Sequence, residues 1–154
     1  MREMIHLVKV RLQIKREFRL GDKGKKFKKE LLDLLASDGV LIMESVTPRG
    51  YTGNGARSYK IVNKSEDSRI IQNDRFYLPY VNEGTGVYGR GSPIVPVKAK
   101  MLHFWAGGAP HAGQEVFARS VRGQPGKHFV EKGARDIANQ VNKVAVIAAR
   151  RTFE

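Results

Sequence analysis

The chain contains no cysteine. That single absence removes disulfides, thiolate nucleophiles and thiolate-ligated zinc together. Long apolar runs are missing too: none approaches the ~20 residues that a membrane span requires. The first residues, Met-Arg-Glu-Met-Ile-His, lack the apolar core and small-residue cleavage site of a signal peptide. The expectation is a soluble protein made in the cytoplasm, with no membrane partner. Acidic residues are scarce: 15 Asp plus Glu stand against 28 Lys plus Arg, a formal net charge of +13. A field of that sign attracts polyanions or acidic protein surfaces, and it speaks to partners rather than to fold. At 154 residues the chain reads as one domain, 1–154, able to bury its own core.

What is plentiful is glycine, and it is densest from Tyr77 to Gly91. The apolar residues Tyr77, Leu78, Tyr80 and Val81 read as a strand that runs into Glu83-Gly84-Thr85-Gly86, followed by Gly89 and Gly91. Such density specifies backbone geometry, either positive φ or close approach of another backbone. Gly84-x-Gly86-x-x-Gly89 matches the dinucleotide-binding spacing, but that chemistry needs a helix whose first amides hold a pyrophosphate. Gly91-Ser92-Pro93-Ile94-Val95-Pro96 cannot supply one, because each proline drives its predecessor out of the α region. A kinase-type glycine loop fails for want of the motifs that accompany it. The corner therefore reads as structural or as an interface.

Taken in order, the chain predicts an α+β fold: a mostly antiparallel sheet carrying an N-terminal and a C-terminal amphipathic helix, with long glycine-rich loops. Within 1–20, Val8, Val10, Leu12 and Ile14 alternate with Lys9, Arg11 and Gln13, the period of a half-buried strand. The period lengthens over 23–46, where Phe27, Leu31, Leu34, Leu35, Leu41 and Ile42 fall near one helical stripe opposite Lys25, Lys26, Lys28 and Lys29. Asp22 is a candidate N-cap, and Gly39 marks a place for the helix to bend or divide. A turn-rich loop over 47–57 follows. The sheet is predicted within 58–118: a hairpin from Ser58–Val62 and Arg69–Gln72, then Met101–Trp105 paired with Glu115–Ala118, with loops at 83–93 and 106–113. The 106–113 connection, rich in Gly, Ala and Pro, reads as a flexible arm. A last helix over 128–151 aligns Gly133, Ile137, Val141, Val144, Ala145 and Ala148.

Catalytic chemistry finds little support. His6, His103, His111 and His128 are scattered without a metal-ligand spacing, so no metal or other cofactor is expected. Glu44, Glu83 and Glu115 have no spacing that demands acid–base work, and Ser92 lies outside a nucleophile elbow. The chain does not read as an enzyme. A nucleic-acid module is a better rival: Arg11, Lys15, Arg16, Lys25, Lys26 and Lys29 form a basic end, and Tyr88, Phe104 and Trp105 are candidates to stack bases. No helix-turn-helix, RNA-recognition or zinc-finger pattern accompanies them.

One order of motifs is distinctive. Thr47-Pro48-Arg49-Gly50-Tyr51-Thr52-Gly53 follows the basic helix, and Tyr80-Val81-Asn82-Glu83-Gly84-Thr85-Gly86 comes next. Then Phe117-Ala118-Arg119-Ser120-Val121-Arg122-Gly123-Gln124-Pro125 precedes His128-Phe129 and the last helix. Over about residues 23 to 150 this resembles the tail-completion proteins of long-tailed bacteriophages, also termed minor tail or neck proteins. The Pro-x-x-Thr-Gly turn of that family is met with one extra residue, its Val-x-x-Gly-Thr-Gly corner by Val81, Gly84, Thr85 and Gly86, and its Pro-x-x-Phe element by Pro125 and Phe129 with a longer gap. The resemblance implies a non-enzymatic structural virion protein of the head–tail junction. It implies a ring of about six copies around the DNA exit channel, with neighbouring neck and tail proteins as partners and DNA in the channel as a further one. Interface candidates are Tyr80, Val81, Glu83, Gly84, Thr85, Gly86, Tyr88, Trp105, Gly107, Gly108 and Phe129. The corner is expected to add strand-like hydrogen bonds across a subunit boundary.

Overall fold

The computed structural model describes residues 8–15, 21–50, 52–107 and 113–154. Strand β1, Val8–Gln13, keeps the alternation of its sequence, with Val8 and Val10 buried and Lys9 and Arg11 exposed. Helix α1 spans Gly21–Val46, and a β2–β3 hairpin follows, Tyr59–Ser65 and Ser68–Asn73. The strands form one antiparallel sheet in the order β1-β3-β2. In register, Val10 and Ile61 both face Ile71, so three apolar side chains cross the sheet in one row.

Helix α3, Phe129–Phe153, lies antiparallel to α1: Phe27 near the start of α1 meets Phe153 at the end of α3, while a Cβ on Gly133 would meet Val46 at 3.2 Å. Both helices pack on the sheet. Met43, Ile71, Leu78, Phe129 and Ile137 form the main core with Val8, Val10 and Tyr59, and Leu31, Leu35, Val144 and Ala148 extend it between the helices. Burying such side chains contributes roughly 1.5–3 kcal/mol each. At the edge of this core Thr47 Oγ1 donates to the Met43 carbonyl at 2.6 Å and accepts from the Tyr59 hydroxyl at 2.8 Å.

Several expectations change. Helix α1 does not divide at Gly39, and Asp22 lies within its first turn rather than capping it. Gly39 is small because Ile71 and Ile137 close over it, with Ile137 Cδ1 only 3.2 Å from where a Cβ would stand. The buried stripe runs through Leu31, Leu32, Leu35, Ala36, Gly39 and Met43, which turns Leu41 outward at 64% exposure. Val141 on α3 is exposed as well. Tyr77–Val81 is not a strand: Leu78–Glu83 forms the short helix α2, begun by Pro79 in its first turn. Apolar residues at 77, 78, 80 and 81 suit a helical face as well as a strand, and proline presets helical φ. Finally, 58–118 does not form a single sheet. Among the described residues, strands β4, Leu102–Ala106, and β5, Gln114–Ala118, pair only with each other.

Candidate functional site

The glycine corner is built from α2 outward. At the end of α2, Gly84 adopts φ 93°, ψ 175°, a conformation essentially restricted to glycine, and the chain turns back through Thr85 into a single 3-10 turn, Gly86–Tyr88. Against this corner lies an extended strap, residues 121–128. Thr85 N–H donates to the Gln124 carbonyl at 2.9 Å, and Val87 N–H to the Arg122 carbonyl at 2.8 Å. In return, Lys127 and His128 donate to the carbonyls of Val81 and Asn82 at 2.9 and 3.0 Å, and Gln124 N–H donates to Thr85 Oγ1 at 3.0 Å. A Cβ on Gly84 would stand 2.8 Å from the Gly126 nitrogen, so glycine is required for the two backbones to come this close.

Asn82 completes the lock. Its side chain is nearly fully buried; Oδ1 accepts the Val130 N–H at 2.9 Å and Nδ2 donates to Glu131 Oε1 at 3.3 Å. It thus satisfies the first turn of α3, whose own N-cap, His128, sits in the left-handed region at φ 49° and offers no capping side chain. The corner's amides are therefore turned inward: Thr85 and Val87 donate within the chain, and Arg90 and Gly91 both donate to the Gly86 carbonyl. The expected strand-like hydrogen bonds across a subunit boundary have no free donors at these positions. Gly84, Gly86 and Phe129 are buried, Val81 and Thr85 half-buried, and only Tyr80, Glu83 and Tyr88 present side chains to solvent. Arg122 places its guanidinium 5.9 Å from the centre of the Tyr88 ring.

Beyond the corner the chain leaves the body as an arm. Its roots are tied by an antiparallel bridge, Ile94 to Val121, with hydrogen bonds of 2.8 and 3.0 Å. Past that bridge Val95 and Val97 are exposed, Val97 at 93%, and the β4–β5 hairpin carries apolar groups on both faces. Leu102, Phe104, Val116 and Ala118 share one; His103, Trp105, Glu115 and Phe117 share the other. His103 stacks on Phe117 at 4.6 Å between centroids and shares a 2.7 Å hydrogen bond with Glu115. Phe104 is 38% exposed and Phe117 58%. Trp105 is half-buried within the hairpin and Gly107 is exposed at its end; Gly108 and His111 lie outside the described residues.

At the other end of the molecule, Lys15 and the first turns of α1 line an open cleft of ≈ 1370 Å³ that includes Lys25, Lys26, Lys28 and Lys29. Lys28 pairs with Asp67, and Arg69 donates to Asp33 at 2.7 Å. Lys15, Lys25, Lys26 and Lys29 have no carboxylate partner among the described residues. Arg11 stands on the exposed side of β1 and is not part of this lining, while Arg16 and His6 lie outside the described residues.

No known family, curated protein or solved structure matches this chain. The site must therefore be read from its own geometry. Among the described residues no group of acidic, histidine or cysteine side chains is gathered as a metal site, and no helix is long and apolar enough to cross a membrane. Asp74 is held below the usual carboxylate range by hydrogen bonds from Lys60 and Gln72, a surface effect at the rim of the sheet. The Tyr59 hydroxyl is pushed up by burial, partly opposed by its bond to Thr47. Neither group faces the corner, the arm or the basic cleft. Asn82 is the residue that the sequence did not announce, since its partners lie 48 and 49 positions away.

Proposed function

We propose that this chain is a structural component of a phage head–tail junction, a tail-completion or neck protein that closes into a ring joining tail to head around the DNA channel. The observation that carries the reading is the arm. An isolated two-stranded hairpin is marginal in water, yet this one exposes Phe104 and Phe117 with Val95, Val97 and Met101 beside it. Exposed apolar surface of this kind marks an interaction site, and ring subunits meet through unlike surfaces that close by rotation. The motif order of the sequence supplies the assembly to which such an arm belongs. A virion location follows from the same reading.

A second reading, a basic module that binds nucleic acid without sequence preference, is favoured by the unpaired lysines of the cleft. One measurement separates the two. Light scattering of the purified protein, with and without duplex DNA at low and moderate salt, is expected to give a closed multimer of about six copies whose mass does not depend on DNA. A monomer that gathers on DNA and is released steeply by salt would overturn the ring in favour of the second reading.

A further inference from the structure

Helix α1 is split in charge. Residues 21–29 hold Lys23, Lys25, Lys26, Lys28 and Lys29 against Asp22 alone, whereas 30–46 hold Glu30, Asp33, Asp38 and Glu44 and no cation. Glu30 is paired with Arg151 and Asp33 with Arg69. Asp38 and Glu44 have no partner among the described residues, and they lie three residues either side of the outward-facing Leu41, on the same stretch of helix surface. In a chain of net charge +13 this makes an unusual surface, an exposed leucine bracketed by two free carboxylates.

The arm carries the complement. Past the Ile94–Val121 bridge, between residues 95 and 120, the cations are Lys98, Lys100 and Arg119, all exposed, and the only acid in that stretch of the sequence is Glu115. Lys98 and Lys100 lie just before β4 and Arg119 just after β5.

We propose that the arm of one copy docks on the outer face of α1 of the next, its exposed Phe117 covering Leu41 and its cations meeting Asp38 and Glu44. This rests on the ring reading and gives that ring its contact. Because the arm and the α1 face are different surfaces, the contact is head-to-tail and propagates around a closed assembly instead of stopping at a dimer. The charges give register and suppress arm-to-arm contact, where three cations would face three. Exposed aliphatic groups, Val95, Val97 and Met101, favour a protein surface over nucleic acid, which stacks on aromatic rings but gains little from branched aliphatic ones.

The absence of native cysteine makes the test clean. Leu41→Cys and Phe117→Cys proteins, each altered at an exposed position, are prepared separately and mixed under mild oxidation. Crosslinked heterodimers well in excess of either homodimer are expected, and Asp38→Lys with Glu44→Lys in the Leu41→Cys protein should reduce them at least tenfold. Arg119→Glu with Lys98→Glu in the Phe117→Cys partner should restore a substantial part. If multimers form in solution but the crosslink does not favour the heterodimer, the docking is wrong while the ring stands. If the wild-type protein remains monomeric, both fall. If Phe104→Ser with Phe117→Ser abolishes binding of a single-stranded oligonucleotide and leaves the multimer intact, the arm serves nucleic acid and the proposal is overturned.

Discussion

Replacing Gly86 by alanine tests whether the corner is held by the strap. The added methyl would overlap the Arg122 carbonyl oxygen and stand 2.8 Å from the carbonyl carbon and 3.1 Å from Gly123 Cα. These are backbone atoms, so no side chain can swing aside. The strap must retreat, and the Val87-to-Arg122 and Thr85-to-Gln124 hydrogen bonds, 2.8 and 2.9 Å long, are lost or stretched. Two bonds at about 1 kcal/mol each, added to about 1 kcal/mol for placing a side chain at φ 59°, give a loss near 3 kcal/mol. Gly91→Ala is the control. Gly91 is also left-handed, at φ 78°, but a methyl there meets nothing within 4 Å. It should lose only the conformational part, about 1 kcal/mol. In a domain of this size that separates the melting points by about 4–8 °C, with urea midpoints ordered wild type, Gly91→Ala, Gly86→Ala. Equal losses in the two variants, within about 0.5 kcal/mol, would refute the close approach as the reason for the glycine.

Two further outcomes follow from buried polar groups. Asn82→Ala leaves the Val130 N–H without its acceptor and should destabilise by about 1–3 kcal/mol, with hydrogen exchange accelerating at Val130 and Lys132 before it does in the middle of α3. Tyr59→Phe removes the hydroxyl that Thr47 accepts and should lose about 1 kcal/mol at neutral pH. Because burial raises the folded pKa of Tyr59 above 10.0, its neutral form contributes full stability below that value, and the contribution is lost as pH rises through the folded pKa. Urea melts of the wild type should therefore weaken more steeply above pH 10 than those of Tyr59→Phe; parallel pH profiles would show that ionisation of Tyr59 does not contribute.

Local periodicity made the regular elements legible. The alternation of β1, the β2–β3 hairpin and the two long helices all follow from apolar spacing that a half-buried strand or helix requires. Leu41 does not belong to the buried stripe, although the spacing of large apolar residues alone puts it there. The real stripe passes through Gly39, a residue whose contribution is to let Ile71 and Ile137 approach. The glycine corner was visible as a demand on the backbone, but its partner was not, since Arg122 to His128 has no pattern that names what it lies against. Asn82 was hidden for the same reason: caps are read from neighbours, and this one crosses nearly fifty residues. The acidic half of α1 was present in the composition and was masked by the lysines that precede it.

The lock and the arm divide two demands that would otherwise conflict. An apolar surface left exposed for a partner adds nothing to the stability of the free chain, and a loosely tethered arm would lose affinity to the entropy of ordering it on docking. Here the arm's roots are fixed twice, by the Gly84-to-Pro125 bridge and by the Ile94-to-Val121 bridge, and the strap continues directly into α3. The hairpin is therefore presented from a base that belongs to the folded body. It follows that changes in Phe104, Phe117 or the arm cations should alter association while leaving the melting temperature of the dissociated chain, measured at low concentration, nearly unchanged. Changes in Gly86 or Asn82 should alter both, because they release the base from which the arm is held.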